Sequence, residues 1–235
     1  MRKKTLITYL RSGPGHLFLW GYIFVLLVAL VFLLTGSREG IHLAMTRYHT
    51  PFLDGLLKYW TFLGDGVLLI ALVLVLLLVS YRYALLALVA FAVGGLGAQL
   101  LKRLFFSDCP RPVKYFEMVL PDQSLHLVDG VTMHAWHSFP SGHTATAFAI
   151  LFALALMSRR PVVQALLLLL ALGVAFSRVY LSQHFLVDVA GGSVLGMAGG
   201  WLAWRWIGTS NRKWVDRSLF SRRKDGRRNI ETKIE

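Results

Sequence analysis

The sequence is short of cysteine, of charge and above all of acid. Cys109 is the one cysteine in 235 residues. That excludes an internal disulfide, and with no Cys or His at zinc-ligand spacing it also argues against a zinc finger or ribbon around it. Charged residues make up 16% of the chain, against about 25% in an ordinary soluble domain. Asp and Glu number 12 against 25 Lys and Arg, for a formal net charge of +13. This excess has none of the basic-aromatic motifs of nucleic-acid readers, so no nucleic-acid partner is expected. Its position, at the two ends and in short connections, suits topology and contact with anionic lipid head groups instead. A repeat of roughly 20–50 residues and low-complexity tracts are also missing.

Apolar residues are what the chain has. They make up 56% of it, the mean hydropathy is +0.58, and they fall in runs rather than in the short periodic stripes of a soluble core. Six runs approach the roughly 20 residues needed to cross a bilayer: 17–35, 66–83, 84–101, 139–157, 161–176 and 185–207. The expected fold is all-α, a polytopic membrane protein of six transmembrane helices. Residues 1–208 are expected to form one membrane domain and 209–235 a basic cytoplasmic tail, frayed or disordered. The first run is too long for a signal peptide and reads as an uncleaved span.

Ser80-Tyr81-Arg82-Tyr83 must then be a tight turn, and 39–65 an amphipathic stretch at the interface. Most Lys and Arg lie on the side of the two termini, which the positive-inside rule places in the cytoplasm. In the last run Gly192, Gly196 and Gly200 recur every fourth residue, a helix-packing pattern.

Three polar clusters interrupt the ends of apolar runs, all on the predicted non-cytoplasmic side. The first is Lys102-Arg103 with Arg111-Pro112. The second, Pro140-Ser141-Gly142-His143, opens a helix whose first N–H groups have no internal partner and suit a phosphate. There Gly142 admits a ligand to the backbone, Ser141 offers a hydroxyl and His143 a ring proton. The third joins Ser177-Arg178 to His184 and Asp188. A spacing of four puts His184 and Asp188 on one helix face, where a carboxylate can fix the imidazole tautomer and leave the other nitrogen nucleophilic. Lys102, Arg111 and Arg178 would supply three positive charges for a phosphoryl group. Such groups are costly near lipid, which favours a function over a structural accident. His126, His134 and His137 are read as structural.

These motifs resemble the type 2 phosphatidic acid phosphatases, lipid phosphate phosphatases that share a site with vanadium haloperoxidases. The family pattern is a lysine, six residues and Arg-Pro; then Pro-Ser-Gly-His; then Ser-Arg, five residues, His, three residues and Asp. The second motif matches at Pro140–His143 and the third at Ser177, Arg178, His184 and Asp188. The first departs, with eight residues between Lys102 and Arg111: either the loop bulges or Arg103 takes the lysine's place. The resemblance implies that His184 attacks phosphorus to form a phosphohistidine and that Asp188 orients it. It implies that His143 protonates the leaving oxygen and then activates water, and that Lys102, Arg111, Arg178, Ser141 and Gly142 hold the phosphate. No metal and no cofactor is implied.

The implied partners are the bilayer and a lipid phosphate. Undecaprenyl diphosphate and phosphatidylglycerol phosphate lead, ahead of phosphatidic acid, diacylglycerol diphosphate and lipid A phosphates. A phosphotransferase would share every residue, and a non-enzymatic lipid binder would need no nucleophile. The expected location is a bacterial cytoplasmic membrane with the site facing outward. The long connection at 113–138 either covers the site and selects lipid or only packs. Oligomeric state is open.

Overall fold

A computed structural model describes residues 13–220, and among them every regular element is a helix. The basic residues of 1–12 and 221–235, on which much of the orientation argument rests, lie outside the described residues.

The first apolar run is helix α1, His16–Thr35. The amphipathic stretch that follows is two short helices. In α2, Arg38–Met45, the Ser37 hydroxyl accepts from the Gly40 N–H at 3.0 Å. In α3, Pro51–Trp60, the Thr50 hydroxyl accepts from Leu53 N–H at 3.2 Å and proline fills the first turn. Both are ordinary start signals. A 3₁₀ turn at Thr61–Gly64 leads to α4, Gly66–Val79, whose N-terminus is capped by Asp65 at 2.7 Å from Val67 N. The α3 and α4 segments meet at a bend of 61°.

The break after α4 is a single residue. Ser80 is extended, and its hydroxyl caps the next helix by accepting from Arg82 N–H at 3.1 Å. The run expected at 66–83 therefore stops at Val79, and Tyr81 already belongs to α5, Tyr81–Phe105, which carries a π-helical segment at Phe91–Leu96. Then come α6, Pro112–Val119, outside the predicted spans, and α7, Gly142–Ala155. Helices α8, Pro161–Tyr180, and α9, Leu186–Gly208, complete the bundle.

Helices α1, α5, α8 and α9 are long and apolar enough to cross a membrane, and the bent α3–α4 pair makes five if it is one span. The run expected at 139–157 yields a helix of only 14 residues, about 21 Å at 1.5 Å per residue. Its missing turns are spent on the irregular approach through Ser138 to Ser141. Helix α7 is the centre of the molecule. Phe148 and Phe152 pack against Phe18 and Tyr22 of α1 on one side, and Ala149 and Ala153 join Leu86, Ala87 and Ala90 of α5 on the other.

The glycines of α9 seat it on α7. A methyl at Gly192 would lie 2.5 Å from Ser141 O, at Gly196 2.5 Å from Ala145 O, and at Gly200 2.5 Å from Ala149 O. The two backbones touch at every turn because neither side carries bulk.

The segment after α9 departs from the expected frayed tail. Lys213–Asp216 is a 3₁₀ turn with Val215 buried. Arg82 reaches Asp216 at 2.6 Å and donates to Ile207 O and Gly208 O, and the Ser80 hydroxyl donates to Val215 O at 3.0 Å. The bare helix ends around Ser80 and Gly208 need partners, and this segment supplies them.

Candidate active site

All three polar clusters lie at the end of the bundle opposite Ser80. They surround a cavity of about 790 Å³, lined by Lys102, Arg103, Arg111, Gly142, His143, Arg178 and His184 among others. The C-terminal ends of α5 and α8 and the N-terminal ends of α7 and α9 converge there.

His184 sits in the short link between α8 and α9, 1% exposed. Its backbone N–H donates to Arg178 O at 3.0 Å. Nδ1 is 3.6 Å from Oδ2 of Asp188, beyond hydrogen-bond range but aimed at the carboxylate. That carboxylate is fixed by other donors: Oδ2 accepts from Ser138 Oγ at 2.5 Å and Phe185 N–H at 2.8 Å. Asp188 thus caps α9 and faces His184 in one placement. Burial first, and then the charges of Arg111, Arg178 and Lys102, push the His184 imidazole well below the usual histidine range. A neutral ring with Nδ1 toward a carboxylate leaves Nε2 its lone pair, which a nucleophile needs.

His143 opens α7. Nε2 stands 3.6 Å from Oδ2 of Asp65, the residue that caps α4. No side chain caps α7 itself, so the N–H groups of its first turn are free at the wall formed by Gly142 and His143.

The cations are anchored from behind. Arg178 donates to Thr61 Oγ1 at 2.7 Å and Arg111 to Trp136 O at 3.0 Å. Gln183 joins them, its Oε1 accepting from Arg111 at 3.1 Å and Arg178 at 3.3 Å. Lys102 is 5% exposed, whereas Arg103 is exposed. The positive field reaches the connection above the cavity, where burial and then Arg111, Arg178 and Lys102 hold His134 below its ordinary value.

Of the residues expected from sequence, Lys102, Arg111, Gly142, His143, Arg178 and His184 line the cavity, and Asp188 stands behind His184. Ser141 does not line it. It is fully buried and its hydroxyl accepts from Thr144 Oγ1 at 2.9 Å. Its backbone N–H donates to Asp188 O at 2.9 Å, tying the start of α7 to α9. Sequence reasoning missed Asp65, Thr61, Gln183 and Ser138. His134 and His137, read as structural, also line the cavity.

The PAP2 superfamily pattern matches residues 83–212. The chain belongs to the PAP2 superfamily. Two solved structures resemble it. The Aquifex aeolicus LpxE structure is 25% identical with a TM-score of 0.59, over 71% of this chain and 94% of that one. A transmembrane PAP2 type phosphatidylglycerolphosphate phosphatase from Bacillus subtilis is 26% identical with a TM-score of 0.56, over 86% of this chain and 99% of that one. No curated protein sequence matches. As a PAP2 member with several apolar helices, the chain is an integral membrane protein of all-helical fold.

Proposed function

We propose that this PAP2 protein is a lipid phosphate or diphosphate phosphatase acting through a phosphohistidine. The observation that supports it is that two of the histidines lining one cavity are each backed by their own carboxylate, beside three buried cations and an uncapped helix N-terminus. A lipid binder needs the cations but not the two histidine–carboxylate pairs.

In the first step His184 Nε2 attacks phosphorus, a P–N bond forms, the bond to the lipid oxygen breaks, and His143 gives that oxygen a proton. In the second, His143 takes a proton from water as the water attacks phosphorus. The P–N bond breaks and phosphate leaves. Lys102, Arg111, Arg178 and the N–H groups at Gly142 hold the equatorial oxygens, where charge spreads. Asp188 orients His184. These cations supply the electrostatics, so the reaction needs no metal at the phosphate. Transfer to a second lipid would use the same first step.

Undecaprenyl diphosphate and phosphatidylglycerol phosphate are the favoured substrates. The second has support from the Bacillus neighbour, which spans nearly all of its length with this chain. We further propose six crossings, formed by α1, the bent α3–α4 pair, α5, α7, α8 and α9, in a bacterial cytoplasmic membrane with the cavity facing outward. Cys109, at the cavity end, tests this. A membrane-impermeant maleimide should label it in intact cells, and labelling only after lysis would reverse the orientation.

The deciding experiment measures phosphate release by detergent-purified protein from a panel of lipid phosphates and diphosphates in EDTA, beside His184→Ala. Release by wild type and a loss of at least about a thousandfold in the variant are expected. Equal release by both would discard the mechanism, and transferred rather than free phosphate would make the enzyme a transferase.

A further inference from the structure

A second cluster of chemically capable side chains lies beside the cavity and takes no part in the proposed reaction. His49 is in the link between α2 and α3, Asp54 is on α3, and His126 is in the long connection before α7. Each offers one ligand atom, and the three atoms lie within 4.8 Å of one another. His126 Nε2 is 3.0 Å from Asp54 Oδ2. The His49 and His126 rings stack with centroids 3.9 Å apart.

We propose that His49, Asp54 and His126 form a zinc site. Two imidazoles and a carboxylate are a recurrent set of protein ligands for Zn²⁺, with water completing the tetrahedron, whereas Mg²⁺ and Ca²⁺ prefer oxygen donors. The free space a water ligand needs is present, because His49 and His126 line an open hollow of about 680 Å³. The other Asp54 oxygen is already held, accepting from the Tyr180 hydroxyl at 2.5 Å. An outer partner of this kind orients a metal-binding carboxylate. Nδ1 of His49 is buried without a well-formed hydrogen bond, and the backbone of Thr46 is its polar neighbour. On binding, zinc takes the place of the hydrogen bond between His126 Nε2 and Asp54 Oδ2, and a neutral His126 then carries its ring proton on Nδ1.

The site has a structural consequence. His126 belongs to the connection that overlies the cavity, and Asp54 to the helix that supplies Lys58 to the cavity wall. Lys58 already donates to Asp129 O at 2.6 Å across the same seam. Zinc would close that seam with stronger bonds and fix the cover over the phosphate site without touching the phosphate.

The test uses the full chain in detergent, with any affinity tag removed, dialysed against ZnCl₂ and then against buffer with excess Mg²⁺. Bound zinc is counted by elemental analysis. One zinc per chain is expected in wild type and in His184→Ala, with at least about tenfold weaker retention in His126→Ala. Zinc should also raise the thermal midpoint of wild type by several degrees and leave that of His126→Ala unmoved. His126 is exposed, so its replacement spares the fold. No zinc on wild type, equal zinc on His126→Ala, or loss on His184→Ala instead would each overturn the proposal. None of these outcomes depends on phosphatase activity.

Discussion

His143 Nε2 lies 3.6 Å from Oδ2 of Asp65, a residue 78 positions earlier that also caps α4. One carboxylate therefore starts α4 and stands behind the proposed proton donor. Its value to the reaction follows from the leaving group. An alkyl oxygen leaves only with a proton, whereas p-nitrophenolate leaves well without one. Asp65→Asn keeps the cap and removes the charge. It should lower kcat on a lipid phosphate by about tenfold, a fraction of what general acid catalysis contributes, and lower it far less on p-nitrophenyl phosphate. Equal losses on both substrates would mean that Asp65 only supports the fold.

Lys102 and Arg103 are adjacent in sequence but differently placed. Lys102 is buried at the cavity and Arg103 is exposed at its rim. This difference in burial favours Lys102 as the cation of the first motif, with the extra residues taken up in the link from Phe106 to Arg111. Lys102→Ala should cost about 10²–10³ in kcat, the usual loss when one preorganised donor to a developing charge is removed. Arg103→Ala should stay within about threefold, as expected for an exposed charge. Steady-state kinetics on the two variants decides between them, and the reverse ranking would assign the role to Arg103.

The clusters around His184 and His143 were legible because their residues are close in sequence and sit where polar groups are costly. The spacing of four that joins His184 to Asp188 needs only helix geometry. Asp65, Thr61 and Gln183 were not legible because each acts across the bundle. Asp65 looks like a loop acid between two glycines, and Gln183 like a spacer inside the third motif, although it bridges Arg111 and Arg178. Ser141 misled for the opposite reason. Its motif neighbours line the cavity, but its own side chain turns inward to Thr144. The docked turn at Lys213–Asp216 was hidden because a polar, mixed-charge segment carries no periodic signal, and its partners Ser80 and Arg82 lie in another hairpin.

A buried histidine outside the site gives a pH test. His42 is 1% exposed, with its ring against Phe116 and Phe185 and its Nε2 on Ser182 Oγ at 3.2 Å. Burial, helped by Arg38, pushes it down to about 4 from 6.5. The unfolded chain therefore binds this proton more readily. Its contribution to stability is intact above pH 6.5 and is lost as pH falls toward 4, by roughly 3 kcal/mol in full. His42→Phe keeps the aromatic packing and cannot titrate. Denaturant unfolding in detergent at pH 7 and pH 4 should show a smaller acid loss in the variant than in wild type, whatever their absolute stabilities. Parallel losses would mean that His42 titrates normally.

The glycine contact between α7 and α9 links packing to chemistry, because α7 carries His143 and α9 begins two residues after His184. At Gly196 an added methyl would meet Ala145 O at 2.5 Å and Phe148 Cβ at 2.7 Å. The first is backbone and cannot rotate away, so the helices must separate. Overpacking of this kind costs about 1–3 kcal/mol. Separation would also stretch the Ser141 N–H bond to Asp188 O, now 2.9 Å, and so displace the two histidines relative to each other. A shift of about 1 Å at a reacting centre can cost a hundredfold in rate. Gly196→Ala should therefore lower both the thermal midpoint and kcat, with the loss of kcat persisting at temperatures where the variant is fully folded. Gly97 supplies the comparison, since nothing lies within 4 Å of a methyl placed there. Gly97→Ala should leave both quantities unchanged or raise the midpoint. If Gly196→Ala melts early yet turns over normally while folded, the glycine seam holds the bundle together without setting the distance between its histidines.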